Sequence, residues 1–255
     1  MKRRIYLTIC FIFGLIFIGS SAGVVVTLNR YHQADKTYDD LQNRYVFQSS
    51  HETEQTSEGE SERFAPISVD FTSLLRENSD IIGWLYSENT IINYPVVQSD
   101  DNDYYLRRDL HGNYLVSGTI FVDHRCGAVG TDQNYIIYGH FMKNATMFGT
   151  LEKYKEQSYY NEHPILYYLT PDNDYMIELF AGFVTTADSD IYYPEFGDAD
   201  SFEAVLQELK AQSTFTSDVS VTGEDHIVTL STCSHDFDNA RYVVFGKLTC
   251  LSNPD

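Results

Sequence analysis

The sequence predicts a mainly β domain, a barrel or sandwich with a few peripheral helices, carried behind one N-terminal transmembrane helix. Three observations predict it. Ile5 to Leu28 is a run of 24 residues without a charge. Farther on, short apolar runs follow one another closely, separated by polar turns, in a chain with 20 Tyr and 16 Phe. Helical spacing of apolar residues is clear in one stretch of the body, Ser201 to Gln212.

As a helix, Ile5–Leu28 would span roughly 36 Å, enough to cross a hydrocarbon core of about 30 Å. Lys2, Arg3 and Arg4 precede it, which places residues 1–4 in the cytoplasm and everything after Arg30 outside the cell. Ser20-Ser21-Ala22-Gly23 resembles a signal-peptide cleavage site, but the apolar run continues past it through Val24–Val26 and Leu28, which favours an uncleaved anchor. Residues 29–63 read as a polar linker, partly helical between Tyr38 and Tyr45. Their acidic end, 51–63, is too polar to bury a core. The folded domain is expected over 64–255. There Asp70 can cap a helix over Phe71–Glu77. Strands are expected over Ile81–Tyr86, Ile91–Val97, Leu115–Asp123, Tyr135–Tyr138, Ile165–Thr170, Tyr175–Thr185, Ile227–Thr232 and Tyr242–Leu248. The turn residues at 170–174 divide two of them, and Ser201 is placed to cap the helix that follows.

Composition excludes some functions. Lys and Arg number 17 against 37 Asp and Glu, a net charge of −20. A body this acidic would repel a phosphate backbone, which argues against a nucleic-acid partner. The four cysteines, Cys10, Cys126, Cys233 and Cys250, have no CxxC spacing, so neither a zinc site nor a disulfide-stapled mini-domain is suggested. Cys10 reads as a small apolar filler in the membrane segment, and Cys126 and Cys250 as unpaired thiols. No metal or cofactor is expected.

The chemistry points to the end of the chain. Cys233 closes an apolar strand and Arg241 opens the next, with seven residues between them. Antiparallel pairing would set them side by side at one rim. A thiol at a strand end is fixed yet accessible. An adjacent guanidinium favours thiolate and can hold a carbonyl oxygen through several N–H donors. That pair begins a covalent acyl-transfer site, which still needs an acid to protonate a leaving amine. His140, at the end of Tyr135-Ile136-Ile137-Tyr138-Gly139, is best placed, although local pattern alone does not choose it over His163 or His235. The bland alternatives are a buried structural cysteine and an Arg241 ion pair with Asp236 or Asp238, acids that would also raise the pKa of a neighbouring thiol.

Thr229-Leu230-Ser231-Thr232-Cys233 resembles the TLxTC signature of sortases, the cysteine transpeptidases of Gram-positive cell surfaces. Residues 101–106, 134–140, 147–151, 161–164 and 240–247 resemble class B sortase segments in their usual order, and the helix at 201–212 resembles the insertion that separates class B from class A. The likeness runs from about Pro66 to Leu251. It implies an eight-stranded β-barrel with peripheral helices, membrane-anchored, and needing no cofactor. It implies Cys233 as nucleophile, His140 as acid and base, Arg241 as holder of the substrate and oxyanion, and Ser231, Thr232 and Ser234 along the substrate groove. The implied partners are secreted proteins with a C-terminal sorting signal, cleaved after Thr, and an accepting amine of a peptidoglycan cross-bridge or lipid-linked precursor. A pilus-polymerising enzyme that uses a pilin Lys, a plain cysteine peptidase and a non-catalytic surface binding module are the alternatives.

Overall fold

The computed structural model describes residues 2–49 and 64–251. The acidic stretch 51–63 lies outside the described residues, as does the side chain of Cys10. The chain opens with a helix, α1, Lys2–Tyr45. Within it lies a stretch long and apolar enough to cross a membrane by length and composition. Phe11, Phe13, Phe17, Ile18, Val24 and Leu28 point their side chains outward, exposed on this stretch.

The helix does not stop where the polar linker is expected to begin. It continues to Tyr45, and its last three turns bury Ala34, Tyr38, Leu41 and Tyr45. These residues share one face at helical spacing, which gives the segment a surface to pack. The Tyr45 hydroxyl donates to Glu77 (2.6 Å) and the Gln42 amide to Asn93 O (2.8 Å). The packed unit therefore reaches back well before Phe64. Two short strands, β1 (Val46–Gln48) and β2 (Ile67–Val69), pair antiparallel beside α1.

A short helix, α2 (Phe71–Glu77), follows, and the Asp70 carboxylate accepts from Ser73 N–H at its start. Then come β3 (Ile81–Tyr86), β4 (Asn93–Val97), β5 (Ile120–Val122), β6 (Asn134–Tyr138), α3 (Gln157–Glu162), β7 (Ile165–Leu169), β8 (Asp174–Thr186), α4 (Ala199–Gln212), β9 (His226–Cys233) and β10 (Ala240–Cys250). Eight strands close into a barrel in the order β10-β8-β7-β3-β4-β5-β6-β9. Closure leaves no open sheet edge, so every strand has two hydrogen-bonded neighbours. The Tyr135 and Tyr168 hydroxyls, on β6 and β7, meet at 3.3 Å. Those strands are not neighbours, so the pair spans the interior.

Two expectations shift at their edges. The strand expected over Leu115–Asp123 shortens to Ile120–Val122, because Gly118, at φ +57°, bends the chain beforehand. Helix α4 starts two residues earlier than expected. Asp198, not Ser201, is its cap, its carboxylate accepting from Ser201 N–H (2.9 Å). α4 buries Phe202, Leu206 and Leu209 and packs on β8. Truncating the fully buried Leu206 leaves a cavity there, so Leu206→Ala should cost about 2–5 kcal/mol in a denaturant-unfolding measurement. A cost near zero would mean that α4 is not part of the cooperative unit.

Candidate active site

β6 and β9 pair in parallel, with Tyr138 opposite Ser231. Parallel strands bring their C-terminal ends to the same side of a sheet, so the residues just past Tyr138 and the last residues of β9 reach one rim. Gly139 N–H donates to Ser231 O (3.1 Å) and carries the pairing one step farther. No larger residue fits at 139: a Cβ there would stand 2.5 Å from Ile120 Cδ1 and 2.6 Å from the Phe148 ring. His140 comes next. β10 runs antiparallel to β9 and places Arg241 directly opposite Cys233.

A cavity of about 230 Å³ opens at this rim. His140, Ser231, Thr232, Cys233 and Arg241 line it, with Asn102, Leu106, Tyr138 and Tyr192 among the residues completing the wall. Cys233 is exposed, whereas His140 and Arg241 are half-buried. The structure thus gathers five of the six residues singled out in the sequence. Ser234, the sixth, does not line the cavity. Its hydroxyl contacts the carboxylates of Glu152 (2.5 Å) and Asp236, and Lys155 bridges the same two acids at 3.0 and 2.7 Å. Asp236 is therefore engaged by Lys155, and Arg241 makes no ion pair among the described residues. Neither other candidate histidine lines the cavity. His163 caps α3 with its ring 4.6 Å from that of Tyr159, and His235 lies edge-on to Phe141 at 5.1 Å.

Among the described residues the His140 ring makes one polar contact, 2.5 Å from Nε2 to Leu106 O. A carbonyl only accepts, so Nε2 carries the hydrogen. Burial lowers the His140 pKa below its ordinary 6.5; the bond to Leu106 O opposes the shift and the nearby Arg107 charge adds to it. The ring is accordingly neutral in the resting protein at neutral pH.

The far wall rests on residues that local pattern did not single out. The Tyr192 hydroxyl meets Ser231 Oγ at 2.9 Å, and burial pushes its pKa up to about 12, so it remains a neutral phenol. Asp123, fully buried, takes hydrogen bonds from Tyr138 (2.9 Å), Asn102 (3.0 Å) and Arg125 (2.9 and 2.8 Å). Two of those donors line the cavity. The one sequence signal for the Tyr192 wall was the apolar trio Ile191-Tyr192-Tyr193 in a polar stretch; Asp123 had none, since its importance lies in its burial. Of the thiols, Cys126 is buried with its pKa raised to about 12 by desolvation, and Cys250 is exposed; both are free.

The fold and this rim define a known class of enzyme. A Sortase domain model matches residues 86–249, and the chain belongs to the sortase family, the cysteine transpeptidases. Its relatives place it with class B. Sortase B of Listeria monocytogenes is 42% identical over 177 residues, covering 69% of this chain and 72% of the relative. Sortase B of Staphylococcus aureus is 35% identical over 184 residues, covering 71% and 75% of the two chains. A solved Staphylococcus aureus sortase B–substrate complex superposes with a TM-score of 0.68 at 35% identity, covering 71% of this chain and 85% of that one. Sortase B of Bacillus anthracis, solved in complex with AAEK1, reaches 0.71 at 34% identity, over 88% and 99%.

The buried acid behind the cavity yields a stability prediction. Burial alone would raise the Asp123 pKa, but hydrogen bonds from Arg125 and Tyr138 and the Arg125 charge more than offset this and hold it at about 2, against an ordinary 3.8. Because the folded value is depressed, the stabilisation is present in full above 3.8 and is lost as pH falls through about 2. Asp123→Asn should therefore lower stability at pH 7 by about 2 kcal/mol and flatten the acid side of the stability–pH curve. An unchanged acid limb in the variant would show that the carboxylate is not what holds this wall.

Proposed function

We propose that this sortase cleaves a C-terminal sorting signal after a Thr and joins the freed carboxyl group to an amine of cell-wall peptidoglycan. The neutral His140 ring takes the Cys233 thiol proton, and the resulting thiolate attacks the Thr carbonyl carbon to form a tetrahedral intermediate, whose oxyanion Arg241 stabilises. His140, protonated, gives its proton to the departing amine as the C–N bond breaks, leaving a thioester on Cys233. An incoming amine attacks the thioester, His140 takes its proton, and the new amide forms as the Cys233 thiolate leaves. Ser231 and Thr232 line the groove that receives the signal, with Ser234 beside it.

One observation carries this reading: a single cavity is lined together by the thiol, the one candidate imidazole that reaches it and the unpaired guanidinium. Class B relatives solved as a substrate complex and as a complex with triglycine support a peptide donor and an amine acceptor. The exposed apolar face of α1 supports a single-pass anchor, with Lys2, Arg3 and Arg4 cytoplasmic and the barrel outside. The acceptor fits a cross-bridge or a lipid-linked precursor. A pilin Lys is the alternative, separable because polymerisation leaves a ladder of covalent multimers on a gel.

Cys233→Ala should abolish both cleavage and thioester formation, while Cys126→Ala and Cys250→Ala leave them intact. Mass spectrometry of enzyme trapped with a sorting peptide should find the acyl mass on the Cys233 peptide, and an adduct on Cys126 instead would end the assignment.

The reactive pair must hold one proton between thiol and imidazole, so kcat/KM should be bell-shaped. As pH rises, the first proton leaves the buried imidazole, whose pKa is lowered, so the acid limb should have its midpoint below 6.5. A midpoint well above that value would assign the limb to another group.

Arg241→Ala should lose about 10²–10³ in kcat, the scale of one oxyanion donor, with Arg241→Lys recovering only part because it lacks the planar fork. Steady-state kinetics on a fluorogenic peptide decides. A raised KM with near-normal kcat would reduce Arg241 to substrate positioning.

A further inference from the structure

A continuous set of contacts joins α1 to the His140 ring. Tyr38, buried on the C-terminal half of α1, donates its hydroxyl to Gly118 O and lies 3.2 Å from Thr119 Oγ1. Gly118 is pressed against the turn at 104–107: a Cβ there would stand 2.5 Å from Leu106 O and 2.6 Å from Tyr105 O. Thr119 ties down the same turn, its N–H donating to Tyr105 O (3.0 Å) and its hydroxyl to Arg108 O (2.8 Å). Leu106 O, in turn, is the atom that receives His140 Nε2–H.

The same half of α1 also reaches the loop that leaves His140. The Asn144 amide lies 3.3 Å from the Asp35 carboxylate. Met147 N–H donates to the Tyr94 hydroxyl (3.0 Å), and the Tyr94 ring meets that of Tyr38 edge-on at 5.3 Å. The helix thus touches both the acceptor that orients the ring and the chain that follows it.

We infer that the C-terminal half of α1 is a positioning element for His140, acting through Tyr38, Gly118 and the Leu106 carbonyl. The inference rests on the reading of His140 as acid and base. Its role is indirect, since no described α1 side chain lines the Cys233 cavity. α1 braces the turn that carries Leu106 O, and that carbonyl sets the ring orientation on which proton transfer depends.

The test uses the full chain in detergent micelles. Tyr38→Phe keeps the ring and its packing while removing the hydroxyl. Gly118→Ala drives a methyl at the Leu106 carbonyl. Tyr45→Phe is the control, because it removes a hydrogen bond of the same helix to Glu77, away from Leu106. Tyr38→Phe should lower kcat by about three- to tenfold, the scale of one hydrogen bond, with KM for the sorting peptide little changed. Gly118→Ala should lower it at least as far. Histidine NMR titration should show the His140 pKa falling in both, because the bond to Leu106 O is the contribution that favours the protonated ring. Tyr45→Phe should move neither readout. Equal losses in Tyr38→Phe and Tyr45→Phe, or a His140 titration that is unchanged or raised in Tyr38→Phe, would overturn the inference. A lowered titration with normal turnover would uphold the coupling and remove His140 from the acid/base role instead.

Discussion

The arrangement of the rim depends on the parallel pairing of β6 with β9. Antiparallel neighbours would send the ends of these two strands to opposite sides of the barrel. Parallel register makes Tyr138 and Ser231 partners, so His140 and Cys233 emerge together although 92 intervening residues separate them in the chain. Adding β10 antiparallel to β9 brings Arg241 to the same edge. Backbone hydrogen bonds thus bring three chemically distinct residues to one rim of a closed sheet. Gly139 shows how tightly this is built, since Ile120 and Phe148 fill the space where a side chain would be.

Around that frame the protein's large negative charge is kept from the thiol by pairing. Asp123 is buried, but Arg125, Tyr138 and Asn102 surround its carboxylate. Asp236, close in sequence to Cys233, is taken up by Lys155 and Ser234 together with Glu152. Arg241 is left without a competing carboxylate among the described residues. In a chain of net charge −20, a guanidinium opposite Cys233 with no carboxylate on it accompanies several other ion pairs that take up the neighbouring acids.

What could be read in advance follows the range of the interactions involved. Cys233 and Arg241 are separated by a short connection, so an antiparallel hairpin is enough to pair them on paper. His140 joins them through long-range parallel pairing, which leaves no local trace, and pattern alone could not rank it over His163 or His235. The likeness to sortase segments made that choice, and the apolar runs between polar turns located all eight barrel strands, with the start of β5 off by five residues. Asp123 was illegible, because a buried acid differs from a surface one only by its surroundings, and Tyr192 left no more than an apolar trio in a polar stretch. The end of α1 was misread for another reason. Ala34, Tyr38, Leu41 and Tyr45 do recur at helical spacing, but the polar residues between them masked the face they form.

That face makes the lever between the apolar stretch and the barrel a rigid rod. From Leu28 to the first buried contact at Ala34 the helix is unbroken. Each residue in such a rod turns its two ends by about 100° and separates them by about 1.5 Å. The length of this short segment therefore fixes a compass bearing as well as a height. A relative one residue longer here would turn its rim by about a quarter of a circle around the helix axis. One seven residues longer would return to nearly the same bearing, within about 20°, but stand roughly 10 Å farther out.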